Sequence, residues 1–153
     1  MCFVCAPVGV LREVVQEAIE ASADGVVTDV GSTKRAIVEE LAASGLADGD
    51  LERFVGGHPL AGAEAAGVEH ARPELFEGAT WYLTPTDRTS GMLYERLYRT
   101  LSALGARPEA IGPAVHDRVM ATVSHLPHVI ANVLVQQAAA AAAEELRGAA
   151  WDL

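Results

Sequence analysis

The sequence predicts an α/β fold, a parallel sheet followed by an all-helical segment. Three observations predict it. Cys2-Phe3-Val4-Cys5-Ala6 is apolar at every position, as in a parallel strand buried on both faces. Strand and helix signals then alternate as β-α-β-α-β with connections of a few residues. From Pro113 onward the pattern is helical alone.

Each element has a local cause. Pro7 and Gly9 end the first strand, and apolar residues at 11, 14, 15, 18 and 19 lay a helical stripe on the next segment. Gly25-Val26-Val27-Thr28-Asp29 reads as a second strand. A helix over 33–44 follows, carried by Ala36, Ile37 and Leu41 and stopped by Gly45. Arg53-Phe54-Val55-Gly56 is the third strand, and 63–77 is a loop with a short helix at 73–76. Thr80-Trp81-Tyr82-Leu83-Thr84 is a fourth strand closed by Pro85, then come a helix over 90–104 and a short strand near 109–111. Two helices, 113–125 and 127–147, adjoin at Pro127, which must kink or restart the helix. The alanine run 138–143 is strong helix former. A boundary near residue 112 divides 1–112 from 113–153.

The 153 residues are half apolar and 21% charged, a globular composition. Twenty-eight alanines against eight aromatics call for small-residue, helix-rich packing. Lys+Arg 11 against Asp+Glu 21 leaves a net charge of -10, the wrong sign for a phosphate-tracking nucleic-acid binder. The longest apolar stretch is read as 1–11, short of the roughly 20 residues of a spanning helix, so no membrane span is expected. Cys2 and Cys5 form a C-x-x-C on a strand, where i and i+3 point to opposite faces. Buried strand cysteines in a reducing cytoplasm are the better reading than a redox motif. The N-terminus has no positively charged region of the signal-peptide kind.

In an open parallel sheet, ligands bind above the carboxyl ends of the strands. Three segments arrive there: Pro7-Val8-Gly9, Asp29-Val30-Gly31-Ser32-Thr33-Lys34, and Gly56-Gly57-His58-Pro59-Leu60-Ala61-Gly62. They place the Ser32 hydroxyl and the His58 imidazole on adjacent loops. Small residues around His58 let a flat ligand approach the backbone, and Pro59 biases His58 toward an extended conformation. Ser32 or Thr33 also reads as a helix cap, and His58 as an ordinary loop residue. A second cluster, His116-Asp117-Arg118 with Ser124-His125-Leu126-Pro127-His128, suggests metal binding only weakly. Residues 116 and 125 fall half a turn out of phase on a helix, and no fourth ligand is suitably spaced, so no metal is expected. G-x-G-x-x-G, Walker and G-x-S-x-G motifs do not occur in the chain.

Taken in order, these segments resemble the prephenate dehydrogenase family. The resemblance rests on Asp29-Val30-Gly31-Ser32-Thr33-Lys34, on 56–62 with Glu64 and Gly67, on Leu75-Phe76-Glu77-Gly78-Ala79-Thr80-Trp81, and on His116-Asp117-Arg118 through His128. It covers essentially the whole chain. It implies a partial Rossmann-type parallel sheet followed by the start of an all-helical dimerisation domain. The implied reaction is the NAD- or NADP-dependent oxidative decarboxylation of prephenate to 4-hydroxyphenylpyruvate, on the route to tyrosine. The implied catalytic residues are His58, which takes the ring hydroxyl proton as hydride leaves the same carbon, and Ser32, which orients it. A neutral imidazole is required for that role. Ser124, His128 and Glu64 would line the substrate side, and Pro7, Val8, Asp29 and Gly31 the cofactor side. A cytoplasmic homodimer is the implied assembly.

The chain departs from the family pattern in three ways. The Gly-rich first turn and the residue that selects between NAD and NADP would precede residue 1. The arginine-bearing segment that grips substrate carboxylate would follow residue 150. Position 63 is Ala where many relatives carry a hydroxyl. The sequence is therefore expected to be a piece cut at both ends. Lys34 and Arg118 are candidate local cations for an anionic substrate, each read first as solvated surface. Two rivals stand beside the main reading: an arogenate dehydrogenase sharing His58 and Ser32, and a truncated, non-catalytic chain that only dimerises.

Overall fold

Adjacent valines set the architecture. Val26 packs in one core and Val27 in the other, because successive side chains on a strand point to opposite faces. The computed structural model describes residues 1–22, 24–62 and 67–149. Five strands line up in chain order: β1 (Cys2–Val4), β2 (Val27–Asp29), β3 (Phe54–Pro59), β4 (Thr80–Thr84) and β5 (Arg107–Ala110). Helix α1 (Leu11–Ala21) and helix α2 (Arg35–Ala42) cover one face, the short α3 (Asp48–Leu51) leads into β3, and α4 (Gly91–Ala103) covers the other face. Of the stripe the spacing predicts on α1, Leu11, Val15 and Ile19 are buried and Ala18 partly so, while Val14 is exposed.

The first core joins those three residues to Val4, Val27, Ile37, Leu41, Leu51 and Phe54. The second gathers Val26, Val55, Trp81, Leu83, Leu97, Leu101 and Ala106. Burying each large aliphatic side chain contributes about 1.5–3 kcal/mol. The turns use glycine where the chain requires it. Gly45 after α2 and Gly105 after α4 have φ of +83° and +81°, a region costly to residues with a Cβ.

The sheet is parallel-dominated, as expected, with one reversal. β1–β2, β2–β3 and β4–β5 are parallel, but β4 runs antiparallel to β3. That reversal corrects the third strand. β3 does not stop at Gly56: pairing of Gly56, Gly57, His58 and Pro59 with Thr84, Leu83, Tyr82 and Trp81 carries it to Pro59. His58 therefore sits on a hydrogen-bonded strand rather than in a loop. The cysteine expectation also changes. Among the described residues β1 pairs with β2 alone, Cys2 is partly buried and Cys5 is exposed just beyond the strand. Cys5 lies past Val4, the last paired residue of β1, so the sheet does not cover it.

The chain divides into two units, Met1–Asp117 and Arg118–Leu153. Helix α5 (Pro113–Met120) runs into a π-helical turn at Ala121–His125, and α6 (Leu126–Ala149) follows directly. The α-helix gives way to the π turn ahead of Pro127 and resumes at Leu126. Leu126 N–H bonds to the Ala121 carbonyl, the wider i→i−5 spacing of a π turn, just ahead of the residue that has no N–H to give. The apolar-stretch reading is corrected as well. Pro113–Glu145, 33 residues with a window of mean hydropathy 1.2, is long and apolar enough to cross a membrane by length and composition. Interspersed His, Asn and Gln hid this run from a search for unbroken apolar residues, although no Asp, Glu, Lys or Arg lies between Arg118 and Glu144.

Candidate active site

The carboxyl ends of β2 and β3 are locked together by one aspartate. Asp29 is fully buried; its Oδ2 accepts the Gly31 N–H at 2.9 Å and its Oδ1 accepts the Gly57 N–H at 3.1 Å. The Lys34 ammonium completes the arrangement through an ion pair to Oδ2. Lys34 is thus not a solvated surface cation. It is fully buried, and burial pulls its pKa below the ordinary lysine value against the opposing pull of Asp29. Asp29 and Gly31, expected at the cofactor, face inward here and hold the loops.

The glycines before His58 are likewise required by packing. A Cβ on Gly57 would come within 2.6 Å of the Asp29 carbonyl oxygen and 2.8 Å of Thr28 Oγ1. A Cβ on Gly56 would collide with Thr84 Oγ1. These two positions admit neighbouring strands and their side chains, rather than a flat ligand.

His58 follows directly and is partly buried. Its Nδ1 lies 2.9 Å from Nε2 of His116, and the two rings meet edge to face at 5.1 Å. His116 is fully buried, with Tyr82 against its other side at 5.7 Å and 79°. Tyr82 is the β4 residue paired with His58, so the two side chains rise on one face. The His116 Nδ1 lies 2.7 Å from Asp117 Oδ1. The sequence offers this cluster as a weak metal candidate, as one or two histidines facing the sheet edge, and as a motif of the resemblance, but assigns His116 and Asp117 no role beside His58. Among the described residues no group is arranged to hold a metal ion.

Asp117 also settles the capping question. The N–H groups of Lys34 and Arg35 donate to its Oδ1 and Oδ2 at 2.8 and 3.0 Å. Neither Ser32 nor Thr33 caps α2; a carboxylate from α5 does, and it complements the helix dipole. Burial alone would raise the Asp117 pKa. Hydrogen bonds from His116, Arg35 and Lys34 outweigh it and hold the carboxyl below its usual range. Ser32 is exposed on the loop between β2 and α2 and has no side-chain partner among the described residues.

Pro7 and Val8 are exposed beyond the carboxyl end of β1. Val8, Gly9, Leu11, Thr33, Ala36 and Ile37 border a cavity of about 230 Å³ between the start of α1 and α2. In the second unit, Ser124 and His128 lie one turn apart, and the His128 Nδ1 lies 2.8 Å from the Ser124 carbonyl oxygen. Arg118 is exposed. Glu64 lies outside the described residues, as does Ala63.

A doubly covered, parallel-dominated sheet with a histidine at its carboxyl edge defines a nucleotide-binding α/β domain of the dehydrogenase type. The family model for the nucleotide-binding domain of prephenate dehydrogenase matches residues 1–110, and that for its dimerization domain matches 112–149. The chain belongs to the prephenate dehydrogenase family. It is 40% identical over 114 residues to the prephenate dehydrogenase of Bacillus subtilis, covering 72% of this chain and 29% of that protein. The Aquifex aeolicus prephenate dehydrogenase, solved with hydroxyphenyl propionate and NAD+, superposes with a TM-score of 0.78 at 38% identity over 88% of this chain and 46% of that one. Synechocystis arogenate dehydrogenase gives 0.75 at 34% identity, over 88% and 47%. The chain thus spans under a third of the Bacillus protein and about half of the solved relatives.

Proposed function

We propose that this chain carries the proton-accepting half of an NAD(P)-dependent prephenate dehydrogenase, with His58 as the catalytic base. The observation that carries the reading is His58 itself, held at the carboxyl edge of the sheet by strand pairing and by the buried His116, which in turn meets the partly exposed Asp117. Family membership and the relative solved with NAD+ and hydroxyphenyl propionate support the reaction class.

The nicotinamide, when bound, supplies the hydride acceptor. Exposed Val8, which borders the cavity between α1 and α2, and the exposed Pro7 before it would hold its border. Asp29 and Gly31 would act from behind, by holding that loop. His58 would take the proton from the hydroxyl on the carbon that loses hydride, which leaves a carbonyl there. Loss of the ring carboxylate as CO2 would deliver its electron pair to the ring, and the oxygen would take the proton back from His58 as the ring becomes aromatic. General-base assistance of this kind contributes about 10²–10⁴-fold. Ser32, exposed at the same edge, is assigned the orienting hydroxyl. Ser124 and His128 are assigned to the substrate side, together with Glu64. The apolar face of α6 is assigned to a homodimer of this cytoplasmic enzyme, with 1–112 as the nucleotide-binding domain and 113–153 as the start of the helical one.

Turnover of prephenate by the intact protein and its His58→Asn variant tests the base. The variant should lose about 10²-fold or more in kcat while cofactor affinity holds. Unchanged turnover removes His58 from the role. The Synechocystis relative favours arogenate as a second reading, and the ratio of kcat/KM on the two substrates decides between them.

A further inference from the structure

We propose that His116 and Asp117 are positioning residues that set the tautomer of His58, keeping the proton on Nδ1 and the lone pair on Nε2. The inference rests on His58 being the base, and it deepens that reading by assigning the atom that accepts the proton.

The directions follow from the donor inventory. An ionised carboxylate only accepts, so the 2.7 Å contact from Asp117 requires the proton on His116 Nδ1. As the neutral ring that the proposal assigns to it, His116 then accepts at Nε2. The 2.9 Å contact therefore requires His58 to donate through Nδ1, which leaves its lone pair on Nε2. Asp117 is held ionised and oriented by two backbone donors on α2, Lys34 N–H and Arg35 N–H. His116 cannot rotate freely, because it is fully buried between His58 and Tyr82. A proton accepted at His58 Nε2 leaves a cation whose Nδ1–H points along the chain toward the Asp117 charge.

The discriminating variant is Asp117→Asn. Its amide oxygen can still accept from the α2 backbone, so the helix cap survives in part. With its NH₂ in the place of Oδ1, the side chain gives up the Lys34 N–H bond, keeps that of Arg35, and donates to His116 Nδ1, which reverses both bonds and places the proton on His58 Nε2. Nitrogen-15 NMR of the His58 ring reads this directly, in the unmodified chain and in the variant. The expected results are a protonated Nδ1 in the unmodified chain, an Nε2-protonated ring in Asp117→Asn, and kcat about 10²-fold lower with substrate KM little changed. A His58 protonated on Nε2 in the unmodified chain overturns the proposal. An Asp117→Asn variant with the original tautomer and full kcat overturns it too. The two readings fail separately. If His58→Asn abolishes turnover while Asp117→Asn changes neither tautomer nor kcat, the base stands and the relay falls. If prephenate is not turned over at all, the tautomer measurement still decides the relay.

Discussion

Asp117 shows how much one side chain can hold. Two of its three hydrogen bonds cap α2 and the third orients His116. Loss of a side-chain cap typically costs about 0.5–2 kcal/mol. The sign of the pH dependence follows from its lowered pKa. In the unfolded chain the group titrates near 3.8, and in the folded chain below that. The unfolded state therefore binds more protons in the interval, so this contribution is complete above 3.8 and is lost as pH falls through the folded value. Denaturant midpoints measured against pH should show the native chain's advantage over Asp117→Ala at neutral pH and its shrinkage below 3.8. A difference that stays constant with pH contradicts the assignment. His58 and the order of the two sheet-edge loops were legible at this scale. The partners of His58 and Asp117 were not, since 58 and 83 residues of chain separate the atoms concerned.

At the scale of elements, β4 decides the site. Pairing with β4 carries β3 past Gly56 through His58 and brings Tyr82 alongside. Close approach of β2 and β4 then leaves no room for a Cβ at Gly57. Gly57→Ala should cost about 1–3 kcal/mol or more through overpacking, read as a lower denaturant midpoint, and should impair turnover with it. Full stability in that variant would mean the strands yield more easily than their spacing indicates. Period-3.6 stripes and glycine stops made the helices legible, α1 to the residue. Strand direction left no such mark, because the same alternation serves parallel and antiparallel pairing. Pro127 marked an interruption of the helix but not its form. A π turn absorbs a missing N–H, and its presence depends on backbone outside the proline's own neighbourhood.

For the molecule as a whole, α6 presents Val129, Ile130, Val133 and Leu134 to solvent in the isolated chain. Apolar surface of that extent calls for a partner. With residues 112–149 matching a dimerization domain, the proposed partner is a second copy. Sedimentation of the intact protein should show a dimer, and Leu134→Asp should shift it toward monomer at micromolar concentration. A monomer before any substitution, or partition into lipid vesicles, would remove the assignment.

By itself the sequence determined the α/β class, the succession of elements, the family and the two residues at the sheet edge. Those follow from periodicity, turn residues and motifs, all of which act within a few residues of chain. Only the tertiary structure decided that β4 is reversed, that Asp29 and Lys34 are internal fasteners, and that His58 leans on His116 and Asp117. These are choices among surfaces distant in sequence. They are made by which buried donors find acceptors when the strands close, and no local pattern records that outcome.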